Sequence, residues 1–478
     1  MEYLTIESLP DDTEQINMGS FSNIFATTNL TRFKKLKKLF CNLTQLYTLP
    51  DLPEGLRELH CYNNNYLTSL PTLPKSLKIL YCWGNKLTQL PTLPENLINL
   101  YCETNNLTSL PELPQSLVQL QCDSNKLTSL PTMPKSLTKL GCTKNRIYSL
   151  PTLPQNLLEL YCSDNVLVSL PTLPKNLMEL SCFNNRLISL PDIPTNLRKL
   201  RCHYNQLTSL PTLPDSIQKL YCNSNRLTSL PRLSESLIVF ECDNNYLTSL
   251  PTLPQSLIRL CCNSNKLTSL PTLPDSLTEL YCNANKLTTL PILPDSLMKL
   301  YCIGNYLTEL PTLPQQIIHL DCALNYLTSL PTLPEHLIQL SCNCNKLTYI
   351  TFLPESLEEV YCWNNYLTYL PTLPASLVSL YCHNTPIYEI INEPFVYYDE
   401  NDYDDESDVN IIVIARKNLK ILNTFRELYY CLKFKRQFRK WLWDKVREPR
   451  IKNRYHPDRL KELLVDENTD LEEVLETW

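Results

Sequence analysis

Cysteine is the residue whose number and spacing most invite chemistry. The chain holds 21 of them. They fall at Cys41, Cys61, Cys82, Cys102, Cys122 and then every 20 residues to Cys382, with three more outside that register. Thiolates ligate zinc, and paired thiols form disulfides. Zinc requires four ligands converging on a tetrahedron, whereas residues repeated at a constant period stack in a line with parallel side chains. In-register strands hold neighbouring Cβ atoms about 4.8 Å apart, and a disulfide needs about 3.8 Å. The regular cysteines, represented by Cys82, Cys222 and Cys342, therefore read as small buried hydrophobes forming a structural ladder. Cys261 and Cys344 stand out of register. Cys261 precedes a ladder position and should point outward, and Cys344 lies two after one. Both are candidate reactive surface thiols.

Other catalytic chemistry is sparse. The six histidines are His60, His203, His319, His336, His383 and His456. His319 and Asp321 share a strand face and could pair, but no activated Ser or Cys joins them. No glycine-rich phosphate loop, HExxH or CxxC is present. The expectation is a non-enzyme with no metal and no cofactor. Charge is near balance, 43 basic against 49 acidic side chains, so nothing global selects nucleic acid or an acidic ligand. The first residues lack a basic and apolar leader pattern, and no segment approaches the ~20 apolar residues of a membrane helix. A reducing compartment with free thiols follows as the expectation.

The elements that position these residues are set by a 20-residue period of the form LxxLxCxxNxLTxLPxLPxS. A typical unit carries Leu77, Leu80, Cys82, Asn85, Leu87, Leu90, Pro91, Leu93 and Pro94. There are 18 such units, with one single-residue insertion after Cys61. Alternation around Leu80 and Cys82 predicts a short strand with one face buried. Each buried Leu contributes roughly 1.5–3 kcal/mol, while ordering each backbone residue costs roughly 1–2 kcal/mol. One unit cannot fold alone; stacked units share their buried faces. Prolines in the LPxLP half remove donors and favour extended polyproline II backbone. The prediction is a repeat solenoid with a parallel β-sheet on its concave face and an extended convex side. Its ribbon would run roughly 80–90 Å.

Over roughly residues 34–389, this unit resembles the leucine-rich repeat family, specifically the short bacterial LPxLP type found in YopM-like and IpaH-like effectors. The resemblance implies a horseshoe, a protein-binding role, and an asparagine ladder at Asn85, Asn225 and Asn345 that bonds backbone of adjacent coils. The chain departs from the family pattern where Cys replaces Val, Leu or Ile. It departs again where Thr44 and Thr385 replace the repeat Asn, and where Ser234 and Thr351 replace Pro. IpaH-type effectors append a ubiquitin-ligase domain with a CxD motif. Here the sole cysteine beyond the repeats, Cys431, precedes Leu432 and Lys433, so ligase activity is not carried over.

Residues at −3, −1 and +1 from each ladder cysteine should face the concave side. Position −1 holds Tyr81, Tyr101, Tyr161, Tyr221, Tyr281, Tyr301, Tyr361 and Tyr381, and Trp83 and Trp363 sit at +1. Tyrosine and tryptophan on a rigid sheet are the residue types that carry interface energy. These ten are the expected protein-binding residues, richest at the two ends. Copied repeats would also copy their tyrosines without using them, and the rings could pack on each other.

The ends read differently. Residues 1–33 should cap the first coil, and residues 390–410 form an acidic linker. A mainly helical basic region, 411–478, follows, with a strand over Val409–Ile414 and a helix over about 418–447. Between Ile411 and Arg454, 14 Lys and Arg face 3 acids, interleaved with Phe434, Phe438, Trp441 and Trp443. A helical cap, contact with nucleic acid or a membrane surface, and a calmodulin-like partner all remain open readings of this region. Trp441–Leu460 with Asp470–Trp478 resembles a C-terminal stretch of giant DNA virus proteins of the mimivirus type. That resemblance implies a viral protein acting in the host cytoplasm or the virion.

Overall fold

The computed structural model describes residues 6, 9–18, 30–44, 46–392 and 415–424. Among these residues nineteen strands form one sheet, and each pairs in parallel with the next in sequence. The first, β1 (Gln15–Asn17), pairs with β2 (Lys38–Phe40), which pairs with β3 (Glu58–His60). From Ile79–Tyr81 to Ser379–Tyr381 the strands are three residues long and recur every 20 residues. Their register keeps equivalent residues opposite each other, as in Tyr81 with Tyr101 and Leu80 with Leu100. A fixed period aligns every column of side chains, so the sheet is a direct consequence of the repeat.

The core is the inward set. Leu77, Leu80, Cys82 and Leu87 are fully buried, and Leu90 and Leu93 nearly so. The same columns continue through every rung into one continuous hydrophobic cluster. The Pro-rich half carries no regular element and is fastened by side chains instead. Ser116 Oγ lies 2.6 and 2.7 Å from the carbonyls of Glu95 and Leu97, between which its one proton is shared, and Ser136 and Ser356 repeat this contact. This satisfies carbonyls that proline-rich backbone leaves without N–H partners.

Each rung leaves the strand through a left-handed residue two positions after the ladder cysteine. Sixteen of these are not glycine, from Leu43 to Asn384 with φ of 51–61°; Gly84 and Gly304 occupy the same position. A chain with only five glycines thus turns tightly with Asn, Ser and even Leu324 in a conformation that disfavours a Cβ. The single-residue insertion is absorbed in this turn. Asn85 Oδ1 accepts from the N–H of Asn64 at 2.9 Å, whereas elsewhere the equivalent oxygen accepts from a leucine or isoleucine N–H of the preceding rung, as Asn225 does from Leu207 and Asn165 from Ile147.

Both ends of the described solenoid are covered. Ile6, Ile16, Met18, Leu30 and Phe33 bury themselves at the start. At the far end, α1 (Pro386–Asn392) buries Ile387 and Ile391. A helical segment over 415–424 buries Ala415 and Leu419 beside it. That segment holds only the start of the helix expected over about 418–447. The rest of the basic region, the strand expected over Val409–Ile414 and the acidic run at 399–408 lie outside the described residues. No helix among the described residues is long and apolar enough to cross a membrane.

Candidate interaction surface on the strand face

Two columns flank the central apolar residue of each strand, at −3 and −1 from the cysteine, and a third follows at +1. Backbone pairing places equivalent side chains of consecutive rungs side by side, which brings rings into contact. Phe40, His60, Tyr81 and Tyr101 form a continuous −1 stack, with centroids 4.4, 4.6 and 4.6 Å apart. Alongside them at +1, Tyr62 and Trp83 stack at 4.5 Å with planes 5° apart. Near the middle, Tyr281 and Tyr301 stack at 4.9 Å. At the C-terminal end, Tyr361 stacks on Tyr381 at 4.9 Å and Trp363 on His383 at 5.2 Å.

Tyr161 and Tyr221 stand apart from other tyrosines. Tyr161 lies between Gly141 and Ser181 in its column, and its hydroxyl meets Glu159 Oε2 at 3.0 Å. Tyr221 lies under the guanidinium of Arg201, 5.7 Å from its centroid. Of the ten residues expected to bind, only Tyr381 is among the exposed large side chains; the other nine are half-buried between neighbours. Phe40, His60 and Tyr62 escaped the sequence reading. Applying the −1 and +1 positions through the insertion to the first two rungs finds them.

The −3 column is charged, and its charges neutralise one another across rungs. Lys139 pairs with Glu159 at 2.9 Å, Lys199 with Glu179 at 2.9 Å, and Lys299 with Glu279 at 3.0 Å. Arg201 adds a second bond to Glu179 at 2.9 Å. Burial shifts several groups here. Glu103 sits between Trp83 and Asp123 in the +1 column, and burial raises its carboxyl to about 7. His203 stacks against Phe183 at 4.4 Å, and burial with nearby Arg201 lowers it to about 4.

The asparagines lie behind this surface. Asn225 donates to the carbonyls of Cys202 at 3.0 Å and Cys222 at 3.1 Å. Asn85 does the same toward Cys61 and Cys82, and Asn345 toward Cys322 and Cys342. Each therefore bolts two rungs together at the cysteine carbonyls. At the two ends Thr44 and Thr385 take this place, with their hydroxyls on the carbonyls of Cys41 and Cys382. The ladder cysteines are free and buried. Burial raises Cys61 and Cys202 to about 12, and the Cys122 thiol points at the Gly141 carbonyl, 3.2 Å away.

Cys261 departs from expectation. It is only 4% exposed. Arg259 Nε donates to its sulfur at 3.4 Å, and burial raises the thiol to about 12. A −1 side chain points away from the core, but Arg259 of the same strand and the longer Glu241 and Tyr281 beside it in the column leave little of one as short as Cys uncovered. Cys344 occupies a left-handed position, φ 55°, and is half-exposed, with Asn364 Nδ2 3.5 Å from its sulfur. His319 and Asp321 share a strand without bonding each other. Asp321 Oδ1 instead accepts from the N–H of Ala323 at 3.1 Å. Among the described residues no three His, Cys, Asp or Glu side chains group as metal ligands.

No model of a known protein family matches the sequence, and no curated protein matches it. Solved structures do. YopM from Yersinia enterocolitica is 34% identical over 78% of this chain and 88% of its own, with a TM-score of 0.71. YopM from Yersinia pestis, described as a leucine-rich effector protein, is 33% identical over 74% and 91%, with a TM-score of 0.51. InlJ from Listeria monocytogenes, whose functional domain includes a cysteine ladder, is 28% identical over 61% and 64%, with a TM-score of 0.49. The residues that carry the resemblance to giant-virus proteins, 441–478, lie outside the described part. Period, parallel pairing and identity over most of both chains agree: this chain belongs to the YopM-type family of leucine-rich repeat proteins.

Proposed function

We propose that the protein is a protein-interaction scaffold that takes its partner on the concave strand face, anchored at the N-terminal aromatic cluster. The observation that carries this reading is the contiguity of Phe40, His60, Tyr81 and Tyr101 with the parallel Tyr62–Trp83 stack. Six rings on neighbouring rungs of a rigid sheet make a pre-organised patch, and little side-chain entropy is lost when a partner covers it. The C-terminal pairs, Tyr361–Tyr381 and Trp363–His383, offer a smaller second anchor. The likeness to a bacterial effector supports action by binding rather than by turnover. The paired charges at −3 suit orientation of a partner more than affinity.

The test compares Tyr81→Ala with Trp83→Ala, Tyr361→Ala with Trp363→Ala, and wild type in quantitative capture from cell lysate. Circular dichroism checks that each variant is folded. The N-terminal double variant should lose the captured protein by at least about tenfold, as removal of a hot-spot pair does. Equal capture by all three folded proteins would reject the concave site.

A further inference from the structure

A second surface runs along one lateral edge of the solenoid, away from the strand face. Its spine is the residue just after the repeat asparagine, fifteen positions from Lys86 to Tyr366. Eight are Lys or Arg, four are Tyr, and none is acidic. Every cation and tyrosine among them is exposed. The residues two and three positions further along each rung are mostly Thr and Ser, with Glu309 the one acid. Composition alone would spread 49 acids more evenly. The opposite edge, the residue after the second proline of each rung from Glu95 to Ala375, holds seven acids and two lysines. Charge is therefore sorted across the ribbon.

The spine is a physical row. Backbone bonds hold it in register, as from the Lys266 N–H to the Leu247 carbonyl at 2.8 Å. Side chains touch along it: Lys266 Nζ lies 5.0 Å over the Tyr246 ring and Lys346 Nζ 4.9 Å over Tyr326. Among the described residues no ion pair neutralises Lys126, Arg146, Arg186, Arg226, Lys266 or Lys286. Like charges at about 4.8–10 Å along a line cost energy that a linear anion would relieve.

We infer that this edge binds single-stranded nucleic acid. A row of cations about 65–70 Å long at sheet spacing tracks a phosphodiester backbone. Tyrosines set in the same row offer faces on which unpaired bases stack, and flanking hydroxyls donate to phosphate oxygens. Cations and aromatics in one groove are the two components of sequence-tolerant single-strand binding. An acidic polypeptide would use the cations but leave the tyrosines idle. A duplex presents no base faces to them.

The experiment is fluorescence anisotropy of the full chain with labelled oligothymidine and oligouridine of about 20 nucleotides, titrated from about 50 to 200 mM salt. Both strands should bind, with log Kd rising against log salt by about 0.7 per engaged phosphate. Reversal of four spine charges, Arg186→Glu, Arg226→Glu, Lys266→Glu and Lys286→Glu, should weaken binding at least about a hundredfold and flatten that slope. Tyr246→Ala with Tyr326→Ala should weaken it about fivefold or more with the slope unchanged. Reversing Lys135 and Lys175 on the opposite edge should leave it within about twofold, and the melting temperature of each variant confirms folding. Absent binding, binding that survives the spine reversal through another part of the chain, or equal competition by polyglutamate would each overturn the proposal.

Discussion

At the residue scale, three positions do different work within a few ångströms of the same turn. The cysteine fills the core and its carbonyl anchors the asparagine of its own rung and of the next. The asparagine closes the turn from within, and the left-handed residue before it bends the chain. A single amide serving two rungs explains why a buried polar group is tolerated so often: each of its atoms has a partner. Glu103 is the counterexample. Its Oε2 is buried with no hydrogen-bond partner, and burial raises it from the ordinary 4.5 to about 7. The folded chain keeps this proton where the unfolded chain has lost it. Stability therefore falls as pH rises from about 4.5 to 7. Glu103→Gln should raise the melting temperature at pH 8 and leave it nearly unchanged at pH 4; an equal effect at both would refute the burial account.

At the element scale, the end of the stack matters most. On many rungs a serine hydroxyl lies within hydrogen-bond distance of two carbonyls of the rung before it, as Ser356 does of Glu335 and Leu337. Past Leu377 the described residues hold no further serine in that register. Arg416, from the helical segment over 415–424, reaches the carbonyls of Pro374, Ala375 and Leu377 at 2.6, 3.2 and 3.2 Å. Asn418 adds a bond to the Ile391 carbonyl at 2.9 Å. The segment thus replaces the missing rung and holds α1 beneath it. Hydrogen bonds from a charged group contribute about 1.5–3 kcal/mol. Arg416→Ala should lose about that much and accelerate hydrogen exchange at Val378 and Leu377 first; unchanged exchange there would remove Arg416 from this role. A helical cap was one of three open readings of the basic region. The contacts of 415–424 favour capping for these residues, and residues 425–478 are not described.

At the scale of the whole molecule, stability is close to a sum over rungs and their interfaces. Among the described residues every strand pairs only with its sequence neighbours. Deleting one period, residues 263–282, joins Cys262 to Asn283 and preserves every column. The shortened chain should fold with one strand fewer and melt within a few degrees of wild type. Collapse of its cooperative transition would show instead that long-range features couple the rungs. The same modularity lets the faces diverge. Core columns are nearly invariant from rung to rung, while the strand face collects rings at its ends and the lateral edges sort charge. A solenoid of this kind can carry two binding surfaces without either constraining the other.

How much of this was legible in the sequence depends on the range of the interaction involved. A strict 20-residue period determines the stack, the parallel register, the inward set of Leu77, Leu80, Cys82 and Leu87, and which residues share a column. One unit cannot bury its own apolar face, so no other arrangement satisfies it. Neighbours across rungs decided the rest. Cys261 is covered because Arg259 of its own strand bonds its sulfur and the longer Glu241 and Tyr281 flank it in its column, and a pattern of in and out cannot express their lengths. The period already assigns Phe40 and His60 to the column of Tyr81 and Tyr101, but that these rings touch as one stack is a matter of side-chain contact. The Arg416 latch joins residues about 40 apart with no shared pattern. Periodicity dictates where each backbone atom goes; the tertiary structure alone decides what each exposed side chain touches, because that depends on the size and charge of residues a full turn away.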